Sequence, residues 1–184
     1  MSAAVGVALA LALQASLRDI GNIELKAPWA FVLAALLEGG LALGTARGFF
    51  TPEVAGPLAK TLVVGLVGYG LWQNRHLRGL WLVGLGLASN ALVIFANGGH
   101  MPVDPAALEQ AGLEALAPRL QARYDAVHTL MDESTRLGFL ADIIPVRLLG
   151  YTNVISPGDV CLMLGIALTV LEGALRAKRG SRAP

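Results

Sequence analysis

Uncharged runs long enough to cross a lipid bilayer, set apart by short charged turns, constrain this chain more than any other feature. Met1 to Leu17 carries no ionisable side chain. As a helix it reaches about 26 Å, close to the thickness of a hydrocarbon core. Further apolar runs follow at 28–46, 58–73, 79–96 and 157–175, and the run at 79–96 has no charge at all. Pro28 and Pro157 stand at the first positions of two of them, where a missing N–H breaks no helical hydrogen bond. The pattern predicts an all-α fold: one integral membrane bundle of about five transmembrane helices.

Composition supports the same solvent. The 184 residues are 55% hydrophobic and only 15% charged, against roughly 25% charged in an ordinary soluble domain. There are 22 glycines, and small residues let helix backbones approach closely inside a membrane. Gly40 and Gly44 form a G-x-x-x-G pair, Gly65, Gly68 and Gly70 thin one side of their helix, and Ala4, Ala8 and Ala12 make a small-residue stripe. All three sets are expected to be helix contacts. The first run lacks a basic leader and further spans follow it, so it is expected to be retained rather than cleaved.

Basic residues set the orientation. Arg18, Lys26, Arg75, Arg78, Arg176, Lys178, Arg179 and Arg182 fall on one side of the five-span scheme. Arg47, Lys60, Arg119, Arg123, Arg136 and Arg147 fall on the other, four of them in one long acidic segment. The scheme predicts an outside N-terminus, an inside C-terminus, and residues 97–153 on the outer face of a bacterial cytoplasmic membrane. Membrane lipid is the expected surrounding. No basic cluster is interleaved with aromatics, so no nucleic-acid surface is expected. Cys161 is the only cysteine, which excludes an intrachain disulfide. No cofactor is expected.

Between Asn97 and Asn153 the apolar pattern breaks, with seven acidic and four basic residues. Asp104 before Pro105 reads as an N-cap and first helical residue, opening a helix to about Leu116. A second helix is expected from about Pro118 to Met131. Leu137 to Leu149 is too short to span and contains Asp142, Pro145 and Arg147, so it is expected to be interfacial or re-entrant. The segment reads as a partly helical extracytoplasmic cap between the fourth and fifth spans.

The candidates for chemistry are carboxylates. Glu38 sits inside a span, where a charge is expensive and normally faces the bundle interior. It is either a proton or ligand site or a hydrogen-bonded packing residue. Asp159, in Ser156-Pro157-Gly158-Asp159, fits the third position of a capping box, with an outer-face carboxylate as the functional alternative. Asp142 lies in the apolar stretch Leu140 to Pro145, where burial would raise its pKa. The structural alternative is an ion pair with Arg136 or Arg147. Asp132 is a third outer-face acid. Asn97, Gly98 and Gly99 end the fourth span in a tight turn. With His128, Arg136, Asn153 and Glu38 they are the candidate binding residues. His100 and His128 lack the close spacing of a metal site, so no metal is expected.

Several of these residues carry a resemblance. Asn97-Gly98-Gly99 with Met101-Pro102-Val103, Thr135-Arg136-Leu137 with Asp142-Ile143-Ile144-Pro145, and Asn153 with Ser156, Gly158 and Asp159 resemble a bacterial multi-pass membrane family known only as a domain of unknown function. That resemblance implies a small inner-membrane protein and no particular activity. The last quarter is also similar to the tail of lipoprotein signal peptidases, intramembrane aspartyl proteases with two outer-face carboxylates. There Asp159 matches the second catalytic position and Asp142 a non-catalytic one, while Thr135 stands where the first catalytic aspartate belongs. Asn153 is also set too far from Asp159, and the Asn-x-Gly-Ala motif is absent. Three functions therefore stand open: a non-catalytic protein whose cap binds a lipid, peptide or protein; a hydrolase using Asp142 and Asp159; and a small transporter using Glu38.

Overall fold

Proline begins three of the four long helices among the described residues. In a computed structural model, residues 23–47, 49, 52–121, 128–148 and 151–180 are described. Helix α1 is Pro28–Ala46, α2 is Pro52–Gln73, α3 is Gly79–Ala96 and α6 is Pro157–Gly180. Helix α2 starts before the predicted Leu58, because Pro57 lies near the helix start and forgoes only the bond to Glu53. Helix α6 extends past the predicted Leu175 through the basic tail, whose Lys178 and Arg179 suit a helix C-terminus. The predicted run at 1–17 lies outside the described residues.

The protein is mostly helical. Two helices, α3 and α6, are long and apolar enough to cross a membrane, with mean hydropathies of 1.9 and 1.8 over 18 residues. Pro28–Leu41 and Leu62–Gln73 are shorter apolar stretches.

The chain divides into two units, residues 1–84 with 163–184, and residues 85–162. In the first, α1 lies against α2, with the Trp29 and Tyr69 rings 5.7 Å apart. Here the expected glycine contacts are partly wrong. A Cβ on Gly39, Gly40, Gly65 or Gly68 would meet nothing within 4 Å, whereas one on Gly70 would strike the Phe31 ring. A close backbone approach is instead found between the start of α3 and the first half of α6. A Cβ on Gly165 would fall 2.7 Å from the Gly79 carbonyl oxygen. The spacing rule misses this pair because its two glycines sit on different helices.

The second unit holds the ends of α3 and α6 and the cap between them. Strand β1 (Met101–Val103) leads to helix α4 (Pro105–Ala111), a 3-10 turn at Glu114–Leu116, helix α5 (Ala117–Gln121) and strand β2 (His128–Leu130). A 3-10 turn at Gly138–Leu140 and strands β3 (Ile144–Leu148) and β4 (Tyr151–Ile155) complete it. Asp104 caps α4 as expected, its Oδ1 accepting from the Ala106 amide at 3.1 Å. The helix stops at Gly112, in the left-handed region at φ 71°, well before Leu116.

The cap is less helical than the sequence suggests, and the all-α expectation needs this correction. Residues 128–130 pair in parallel with β1, His128 opposite Met101 and Leu130 opposite Val103. Asp142 joins the other edge of β1, donating its amide to the Pro102 carbonyl at 3.0 Å. The stretch read as interfacial or re-entrant, Leu137 to Leu149, supplies β3, antiparallel to β4 with Val146 opposite Asn153. Its β-branched residues alternate along a hairpin, a period of two that short length and Pro145 conceal. Val103, Ala107, Leu108, Ala111, Leu120 and Val154 form one small core, and Val93, Met101 and Ala141 another.

Candidate functional site

The second unit contains nearly all the candidate residues, and its geometry begins at the end of α3. Asn97 follows the last helical residue, and Gly98 and Gly99 take φ of 66° and 94°, which side chains rarely adopt. The Gly99 amide turns back to the Ile94 carbonyl at 2.8 Å. Asn97 is therefore held beside the helix terminus with its carboxamide free to reach outward. Its Nδ2 donates to the carbonyls of Val93 and Arg136, each at 2.8 Å. Its Oδ1 accepts from the Arg136 amide at 2.8 Å. One side chain thus mimics a strand partner for the Arg136 peptide, and the exposed Arg136 side chain has no part in it.

Asp132 closes the turn before Arg136. Its Oδ1 accepts from the Ser134 amide at 2.8 Å and the Ser134 hydroxyl at 2.6 Å, and its own amide donates to Thr135 Oγ1 at 2.9 Å. Thr135, at the position where the protease-like pattern wants an acid, is a turn hydroxyl. Leu137 follows at φ 55°, the left-handed region for a branched side chain, and packs beside the second small core.

The turn delivers the chain to Asp142, which is buried at 6% exposure. Among the described residues its Oδ1 has no hydrogen-bond partner. Its Oδ2 lies 3.9 Å from His128 Nε2, the reach of an ion pair but not of a hydrogen bond. Burial pushes the Asp142 carboxyl up to about 7, His128 partly offsets this, and the nearby Asp159 charge adds to it. The expected ion pair with Arg136 or Arg147 is not what the fold supplies. Arg147 instead lies over Gly112.

Asp159 is fully engaged. Its Oδ2 accepts from the Ser156 amide at 3.1 Å, and its own amide donates to Ser156 Oγ at 2.9 Å. This is the reciprocal capping box that the sequence indicates, with Asp in place of Glu. A residue absent from the sequence reading completes it. Asn90, midway along α3, donates through Nδ2 to Asp159 Oδ1 at 2.8 Å and accepts from Ser156 Oγ at 2.9 Å. Gly158 permits the approach: a Cβ there would lie 1.9 Å from Asn90 Oδ1. The available signal was a lone carboxamide within an otherwise apolar helix, where polar groups find partners across helices.

Asn153 is exposed on β4 and bonds only locally, to the Tyr151 hydroxyl at 3.0 Å and the Val154 amide at 3.0 Å. Glu38 belongs to α1, and its side chain lies outside the described residues. No group of three potential metal-ligating side chains occurs among the described residues. The cap also bears an open recess of about 550 Å³, lined by Pro105, Leu108, Glu109, Gly112, Glu114, Ala117 and Arg147.

Every candidate from Glu38 to Asp159 falls within the stretch 22–171, which matches the model of a family described as a family of unknown function (DUF5317). The chain belongs to that family. Neither the curated proteins nor the solved structures compared with it gave a match. Membership in DUF5317 carries no assigned reaction.

Proposed function

We propose that this member of DUF5317 is a multi-pass protein of a bacterial cytoplasmic membrane. It has five spans and a cap on the outer face, and the cap binds a lipid, peptide or protein partner without catalysing a reaction. The membrane part rests on exposure. Only 22% of the most apolar window of α3, and the same share of α6, is buried. A core helix in water would hide that surface, and helices apolar on all sides are solvated by lipid.

The reading of the cap rests on one observation: the carboxylates of Asp159 and Asp132 are already committed to architecture. Asp159 is held by Ser156 and Asn90, Asp132 by Ser134, and Asp142 is enclosed in the β1 edge. The recess beside Arg147 is the open polar surface to which a partner would bind. A hydrolase remains the second reading, favoured by the raised pKa of Asp142, which feels the Asp159 charge. It is opposed by Thr135, because two carboxyl groups must share one water in that chemistry.

A cysteine test addresses topology. In a Cys161→Ser background, Gln110→Cys on the cap and Arg179→Cys on the tail are offered a membrane-impermeant maleimide in intact cells. Labelling at residue 110 alone is the expected result, and equal labelling of both sites refutes the orientation. A photo-reactive side chain at Glu109 should give a discrete adduct in native membranes that disappears with Arg147→Gln. An adduct indifferent to that change removes the recess from consideration.

A further inference from the structure

At the start of α3, within the first unit, the structure builds a second polar device. The turn between α2 and α3 contains Asn74, Arg75, His76, Leu77 and Arg78. It is cross-linked from three directions. Asn74, fully buried, accepts from the Lys26 amide at 2.7 Å and donates to the Lys26 carbonyl at 2.6 Å and the Gly70 carbonyl at 2.8 Å. Trp81 donates its indole N–H to the Arg75 carbonyl at 3.3 Å. Arg176, arriving on α6, donates to the His76 carbonyl at 2.6 Å.

What this scaffold presents is cationic and flanked by aromatics. The Arg75 guanidinium stands 4.8 Å from the centre of the Trp72 ring. Trp72 and Trp81 are 62% and 63% exposed, although neither indole is at the end of the chain or in a loose loop. The side chains of Lys26, Arg75, Arg78 and Arg176 are exposed as well. Two acids, Glu24 and Glu172, lie nearby, and Glu172 is occupied by the Gly79 amide at 3.1 Å. The field is net positive: after burial, Arg176 and Lys26 are what hold His76 below its ordinary range, against Glu24 and Glu172.

We propose that this turn is a binding site for the phosphate of an anionic phospholipid in the leaflet that it faces. The proposal rests on the membrane reading above. Indoles with one apolar and one polar end settle at the level of lipid headgroups. A guanidinium stacked on an indole keeps its planar N–H edge for a phosphate. The three backbone cross-links fix the turn beforehand, so less freedom is lost when a headgroup arrives. Lipid is favoured over free phosphate because the two exposed indoles offer nothing to a small inorganic ion.

The test uses the full chain in nanodiscs of phosphatidylcholine with a minority of phosphatidylglycerol, followed by native mass spectrometry of the lipids it retains. Each basic residue near an anionic surface strengthens binding by about fivefold. Arg75→Gln with Arg78→Gln should therefore lower retention of phosphatidylglycerol by about twenty-five-fold. Arg78→Gln alone should give the smaller step. Arg119→Gln, at an exposed position of the cap outside the recess, should leave retention unchanged. Equal retention in the double variant overturns the site, as does an equal loss in Arg119→Gln, or displacement by inorganic phosphate at matched concentration. Alkaline carbonate extraction separates the two readings. Protein that washes from membranes removes both, whereas protein that stays embedded yet retains no phosphatidylglycerol removes only this site.

Discussion

Asp142 should make the cap weaken as the pH rises. Its carboxyl moves from an ordinary 3.8 to about 7, chiefly through burial, and its Oδ1 has no hydrogen-bond partner among the described residues to relieve the charge. The groups that face it are His128 on β2 and Asp159 on α6, while Asp104 beside it is turned to the Ala106 amide. Below pH 3.8 the carboxyl is protonated whether the cap is closed or open, and nothing is lost. Above that the open chain releases the proton and the closed one keeps it, so stability falls until the folded group also ionises near 7. The full loss is roughly 4 kcal/mol, and the part between pH 5 and pH 7 is roughly 2 kcal/mol, or about fiftyfold. Hydrogen exchange reads this directly, after correction for intrinsic rates, at the Asp104, Met131 and Asp142 amides that bind β1 to its neighbours. Their protection should drop about fiftyfold over that range. Asp142→Asn has no charge to bury and should give a flat profile that lies above the native one at pH 8. A flat profile in the native protein, or the same decline in Asp142→Asn, would refute the argument.

Other substitutions probe the remaining joints. Asn97→Ala removes three hydrogen bonds and leaves the Arg136 peptide unpaired, so exchange protection around Arg136 should fall by about 2–4 kcal/mol, with α1 and α2 unaffected. Asn90→Ala strips the outer half of the Ser156–Asp159 box and should cost about 2–3 kcal/mol in thermal unfolding in detergent; no change would mean that the capping box stands alone. Gly158→Ala, with its Cβ 1.9 Å from Asn90 Oδ1, should cut the yield of folded protein sharply, whereas Gly40→Ala, with open space, should not. Equal yields would show that the α3–α6 approach is looser than described.

Sequence reasoning reads some of these residues and not others, for physical reasons. Helix starts are visible at Pro28 and Pro157, and the Asp104 and Asp159 caps follow from local rules, because the partners of a cap lie within one turn. What escapes is whatever depends on a distant partner. Asn90 looks like a blemish in an apolar helix until α6 passes beside it. Asn74 looks like a turn residue until Lys26 meets it across 48 positions of sequence. The β strands are hidden because three- and five-residue segments carry too few alternations to outweigh neighbouring helical signals. Gly40 shows the limit of a spacing rule in the opposite direction, since a Cβ there would meet nothing within 4 Å. Glu172 illustrates both sides. Proximity in sequence suggests Arg176 as its partner, yet it serves the Gly79 amide at the head of α3.

Asn97 has a chemical future as well as a structural role. An asparagine followed by glycine is the dipeptide most prone to cyclise, when the next backbone nitrogen attacks the carboxamide carbon. Here the Gly98 amide is turned toward the Phe95 carbonyl, and the Asn97 carboxamide is held on Val93 and Arg136. The joint thus shields itself from ageing for as long as it stays shut. A copy that opens and cyclises expels ammonia, and water then opens the ring to isoaspartate or aspartate, neither of which keeps the donor that closed the joint; peptide mass mapping of aged protein should find such copies accumulating at high pH.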